Sequence, residues 1–342
     1  MKRLSRSFLW ACLICLCFAG SGYATNIVIN PGATLAGNAA ALSSFQRAAD
    51  SWGKQLADPI TVTINADMAA LGTGVLGTTN AVTLSWGYNN VRNLMVADAA
   101  DEAGNGIVSY LPTASQLSVN LPSGFSLSSD MSTTKANLKA MGYEGLDGMF
   151  GASDADITFS TNFNFDFDNS DGVSAGSYDF ETVAAHEIGH VLGFISAVDV
   201  VDYYLSIGET AEISLYALDL FRFGAGTPTD EASFTTGVRS LLTGGESYFC
   251  DVDNKWSLST GRYTGDGQQA SHWKADEKTG VYIGLMDPTL ASATVQDITG
   301  ADLRAFDVIG WDVTPVPLPP AMILFGSGLV AVFAGARRRR KV

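Results

Sequence analysis

Apolar residues recur at helical spacing between residues 39 and 56: Ala41, Phe45, Ala48, Ala49, Trp52 and Leu56. That is the one-face pattern of an amphipathic helix. Shorter stretches alternate instead. Asn26 to Asn30, Ile60 to Ile64, Ala81 to Trp86 and Ala155 to Ser160 read as strands, and Phe163, Phe165 and Phe167 continue the last alternation. Val91 to Ala100 reads as a second helix. A third is expected from about Phe180 to Phe194, capped by Ser177 or Asp179, with Glu181 favourably placed in its first turn. Its residues Ala184, Ile188, Val191 and Ile195 share one face that would pack on a sheet. Late in the chain, Ile298 to Ile309 predicts a helix capped by Thr299 with Asp302 three residues on. Leu303, Phe306 and Ile309 give it an apolar face, and Trp311 is expected to close the core. Strands and helices interleave throughout, which predicts an α/β (α+β) protein. A mixed-sheet lobe is expected over residues 25–195 and a smaller, irregular lobe over 196–313.

The ends carry a different pattern. Lys2, Arg3 and Arg6 precede an apolar run from Phe8 to Ala19, and Gly22-Tyr23-Ala24 is a small-x-small cleavage site. Residues 1–24 are therefore expected to be an export signal. The alternative, a membrane anchor, needs an apolar run of roughly 20 residues. Removal of that segment would take Cys12, Cys15 and Cys17 with it and leave Cys250 alone, without an internal disulfide. A lone thiol of this kind is expected to be a buried small hydrophobe. At the other end, Thr314-Pro315-Val316-Pro317-Leu318-Pro319-Pro320 leads into an uncharged stretch from Ala321 to Ala336, followed by Arg337 to Arg340 and Lys341. That order fits a membrane segment whose basic flank stays cytoplasmic. With Leu324-Phe325-Gly326-Ser327-Gly328-Leu329, residues 314–342 resemble the PEP-CTERM sorting tails of Gram-negative bacteria. The resemblance implies processing by an exosortase-type enzyme and release or attachment at the cell surface. An ordinary tail anchor is the alternative.

Between these segments lie all 35 acidic residues and only twelve of the 20 basic ones, a formal charge of −23. Nucleic acid needs basic surface, so that class of partner is excluded. Asp166 to Gly172 is acidic enough to suggest calcium, but its glycine falls one place late for an EF-hand loop, and a solvated turn is expected.

The chain has three histidines. His186 and His190 stand four apart on the third helix, so both imidazoles can reach one ion. Glu187 is rotated beside them, where it can face water rather than ligate. A catalytic zinc usually has three protein ligands. Gly193 can end the helix in a left-handed conformation and turn the chain back. His186, Glu187, His190 and Gly193 resemble the metzincin zinc peptidases, whose motif is His-Glu-x-x-His-x-x-Gly-x-x-His. Ser196 stands where the last histidine would be. Leishmanolysin-like members of that clan delay this ligand, and His272-Trp273, Asp276-Glu277 and Leu285-Met286-Asp287-Pro288 resemble their delayed motif. The resemblance implies His272 as third ligand and Met286 as the methionine of the turn beneath the metal. Asp199 is the alternative ligand. The bland readings are an ordinary helix at His186–His190, a core or surface histidine at 272 and a plain core methionine at 286.

Zn2+ is thus the expected cofactor and Glu187 the expected general base. The chain is expected to be a secreted or surface zinc-dependent endopeptidase acting on protein or peptide substrates. The alternative is a non-catalytic extracellular matrix or surface protein in which zinc is a structural clip.

Overall fold

The computed structural model describes residues 24–102 and 104–314. The expected export segment and sorting tail lie, but for one residue each, outside the described residues. The main elements are β1 (Asn26–Pro31), α1 (Ala39–Gln55), β2 (Thr61–Ala69), β3 (Gly77–Ala81), β4 (Thr83–Gly87), α2 (Tyr88–Asp98), β5 (Ser126–Thr134), β6 (Ala155–Ser160), α3 (Phe180–Leu192), α4 (Val198–Ser206), β7 (Glu212–Leu215) and α5 (Gly300–Val308). The protein is mixed α/β, as expected, with several sheets.

The first sheet has the order β1-β2-β6-β3. The first three strands are parallel, and β3 runs antiparallel along the outer edge. Its inner face follows from period-two alternation: Val62, Ile64 and Ala66 on β2 and Ala155, Ile157 and Phe159 on β6 are all buried. Helices α1 and α3 cover that face. Phe45 on α1 meets Phe159 edge to face at 5.1 Å, and Phe159 meets Phe180 of α3 at 4.6 Å. Trp52 Nε1 donates to Ala185 O at 2.8 Å, which joins the two helices through a buried polar contact. Trp311 is fully buried and donates to Leu192 O at 2.8 Å, so the late segment closes onto the end of α3.

Three expectations need correction. Ala81 to Trp86 is not one strand. The Val82 N–H donates to Asp154 O while Val82 O accepts from Lys135 N. These neighbours lie on opposite sides, so the chain passes from β3 in the first sheet to β4 in a second, ordered β7-β5-β4. Secondly, Ile195 does not join the buried face of α3, because the helix has already ended; it lines the cleft described below. Finally, the residues after 196 are less irregular than expected: they contain α4, β7 and most of a five-stranded sheet of short strands. Cys250 is buried and free, in agreement with its reading as a small hydrophobe. Among the described residues no helix is long and apolar enough to cross a membrane.

Where the late segment returns beside α2, carboxyl groups crowd together. Burial, reinforced by Asp312 and Asp98, pushes Asp58 up to about 8. Burial with Asp312 and Asp307 raises Asp98 to about 7, and burial with Asp312 raises Glu102 to about 9. The folded chain thus binds protons that the unfolded chain releases near pH 4. Stability from these groups is present at low pH and lost as pH rises through their folded values. Above the histidine range, from pH 7 to 9, the metal-free protein is expected to lose at least roughly a few degrees in Tm. Asp58→Asn should flatten the loss. Calorimetry across that range checks this; a rising Tm would contradict it.

Candidate metal centre

The metal-helix candidate begins as its sequence predicts. Asp179 caps α3 by accepting from the Thr182 N–H at 2.9 Å and its hydroxyl at 2.6 Å. Gly193 ends the helix at φ 118°, a left-handed conformation that side chains beyond glycine adopt at a cost. Its turn sends Phe194 O back to accept from His190 Nδ1 at 2.9 Å.

The structure brings all three histidines together. His272 Nε2 lies 3.1 Å from His186 Nε2 and 3.2 Å from His190 Nε2. Each ring's other nitrogen faces a backbone carbonyl: His186 Nδ1 is 2.8 Å from Leu285 O, His190 Nδ1 is 2.9 Å from Phe194 O, and His272 Nδ1 is 3.1 Å from Gln269 O. A carbonyl can only accept, so each Nδ1 carries the proton. Three Nε2 lone pairs then converge with no proton between them. Burial holds His186 down to about 4; burial and the neighbouring histidine hold His190 at about 3. Burial and both other rings hold His272 well below its usual value. Converging neutral imidazoles repel one another unless a cation sits between them. Zinc–nitrogen bonds of about 2.1 Å at tetrahedral angles put ligand nitrogens about 3.4 Å apart. The observed spacing fits such a metal, and the carbonyl contacts supply the orienting partners that metal-bound histidines use.

Glu187 is buried, with Oε2 accepting from Thr79 Oγ1 at 2.7 Å. Burial pushes its carboxyl up to about 7, against the lowering effect of that hydrogen bond. Gly77 makes room for it: a Cβ there would lie 2.7 Å from Glu187 Oε1. Both Gly77 and Thr79 belong to the edge strand β3. Met286 is fully buried against the helix, where a Cβ at Gly189 would overlap its sulfur. Asp302 holds that turn. It accepts from the N–H groups of Leu285 at 2.7 Å and Met286 at 3.2 Å, and from Trp273 Nε1 at 2.8 Å. One carboxylate therefore ties the residue after His272 to the residue whose carbonyl orients His186.

Asp199, the alternative ligand, is not part of this cluster. Its oxygens accept from Ala270 N at 2.6 Å, from Ser271 N at 3.0 Å and from the Ser271 hydroxyl. Ser196 gives its N–H to Ser271 Oγ at 2.9 Å. The acidic loop after Phe165 is satisfied internally: Asp166 accepts from the N–H and hydroxyl of Ser174 at 2.8 and 2.7 Å, and Asp168 from Ser170 N at 3.2 Å. It behaves as the expected turn.

The histidines open onto a cleft of about 830 Å³, whose lining includes Thr73 to Thr79, Gln268, Gln269 and Asp287 to Leu290. Sequence reasoning missed Thr79, Gly77 and Asp302 as supports. Their partners lie far away in the chain, 108 residues for Thr79 and Glu187, and no local spacing signals them. No family model, curated protein or solved structure matches the chain.

One divalent ion per chain is the expected stoichiometry. His272→Ala should lower affinity by at least roughly 100-fold, since it removes one of three ligands. Elemental analysis with chelator competition reads both; unchanged affinity would remove His272 from the centre.

Proposed function

We propose that this chain is an exported zinc endopeptidase related to the metzincins. The observation that carries the reading is the meeting of three imidazole Nε2 atoms, with a buried glutamate beside them, in the lining of an open cleft. Neutral nitrogen donors suit zinc better than calcium or magnesium, which prefer oxygen. His186, His190 and His272 would hold the ion. When bound, zinc supplies Lewis acidity that polarises a carbonyl and acidifies water.

The chain's own groups supply the rest. Glu187 accepts the proton of the attacking water on its carboxylate and delivers it to the leaving amine nitrogen. Thr79 keeps the carboxylate turned toward β3. That strand has an unpaired outer edge in the sheet order, and an extended peptide can pair with such an edge. Met286 fills the space beneath the helix. A structural zinc clip has no use for a base beside an open cleft, so Glu187 favours the enzyme over the matrix-protein alternative. Export and sorting by the two terminal segments belong to the same proposal. They would deliver the acidic body to the cell exterior or outer surface.

Glu187→Gln should cut casein or peptide hydrolysis by roughly 10²–10⁴-fold while zinc content and Tm stay at wild-type values. Proteolysis that survives the substitution, or a zinc-loaded wild type that cleaves no peptide, would overturn the enzyme reading.

A further inference from the structure

The third histidine stands far along the chain from the motif helix, so something must bring it back. Ser196 follows the capping Gly193 by three residues, and the His272 segment returns only after residues 197–270 have formed α4, β7 and several short strands. Where it returns, it lands on two points close to the helix end. The Ser196 N–H donates to Ser271 Oγ at 2.9 Å. Asp199, at the start of α4, takes the remaining donors of the segment: Oδ1 accepts from Ala270 N at 2.6 Å, and Oδ2 accepts from Ser271 N at 3.0 Å and from the Ser271 hydroxyl. Buried Arg222 donates to Ala270 O at 3.2 Å and to Ser259 O. Ser259 N in turn donates to His272 O at 3.1 Å.

We infer that Asp199 is a positioning residue that sets the third ligand: its carboxylate fixes the backbone of residues 270 and 271 so that the His272 ring reaches the helical pair. The inference rests on the metal-centre reading above and deepens it. Asp199 is not among the side chains whose donor atoms cluster with the three imidazoles, so its role is exerted through His272. This also accounts for the serine at 196. With the histidine delivered from elsewhere, position 196 needs only a backbone donor for Ser271 and a small side chain, whose hydroxyl donates to Asp219 Oδ1 at 2.6 Å.

The test is a double-mutant cycle on zinc affinity, measured on the full mature chain by competition with a chromophoric chelator. The visible spectrum of the Co2+-substituted protein reports ligand geometry alongside. Asp199→Asn keeps the shape but puts an NH2 group where a donor must be accepted. It should weaken zinc binding roughly 10–100-fold, the usual effect of removing a partner behind a ligand, and shift the cobalt spectrum. In a His272→Ala background the same change should have almost no further effect on affinity. Ser271→Ala removes the hydroxyl's bond to Asp199 and the acceptor of the Ser196 N–H but keeps the two N–H bonds to Asp199, so it should give a loss with the same dependence on His272. It decides the matter if Asp199→Asn does not fold. Wild-type affinity in the folded variants, or an equal loss with and without His272, would overturn the inference while leaving the three-histidine centre intact. A wild-type chain that binds no zinc would overturn the centre itself.

Discussion

Everything in the cleft depends on three lone pairs that face one another. Two come from one helix, four residues apart, and helix geometry alone aligns them. The third comes from 82 residues further on. Each ring's proton is committed to a carbonyl on its far side, so the inward nitrogens have nothing to share among themselves. Such an arrangement is unfavourable by itself and becomes favourable around a cation. The surrounding structure is what keeps the three rings in place, and much of it is built from buried aspartates.

That pattern extends beyond the centre. Asp199 grips the His272 segment, and Asp302 grips the Met286 turn and Trp273. Asp219 accepts from Ala197 N and Tyr216 N at 2.9 Å each, and Asp202 from Tyr263 N at 2.8 Å and Thr264 N at 2.7 Å. In each case a carboxylate satisfies backbone donors that the loops after α3 would otherwise leave unpaired. The described body has one cysteine, buried and free. The long loops of this region are therefore pinned by charge-assisted hydrogen bonds where a disulfide-rich exported protein would use covalent bridges. Some of the strongly acidic composition is thus interior scaffolding rather than solvated surface.

What could be seen in the sequence follows from the range of each signal. The helix at 180–192, its aspartate cap and its glycine stop are local, and the pattern of residues marks all three. The same holds for α1, with its run of apolar positions, and for α5, whose Thr299 and Asp302 form the expected reciprocal cap. β5 was hidden because Ser126 to Thr134 is almost wholly polar and offers no alternation to read. His272 could be tied to the helix only through resemblance to a delayed motif, since spacing says nothing about where a residue 82 positions away will fold. Asp199 was misjudged as a possible ligand for a related reason: a carboxylate just after a metal helix can face the ion or the chain beside it, and the choice is made by Ala270 and Ser271. Thr79 and Gly77 carried no signal at all, because their roles exist only once β3 lies against α3.

The account turns on a single ion ringed by these imidazoles. X-ray absorption at the zinc edge, on protein loaded with one equivalent and compared with His272→Ala, addresses it most directly. Three imidazole nitrogens at about 2.0–2.1 Å, falling to two in the variant, is the predicted result. A zinc shell without histidine scattering, or one identical in the two proteins, would contradict the central claim.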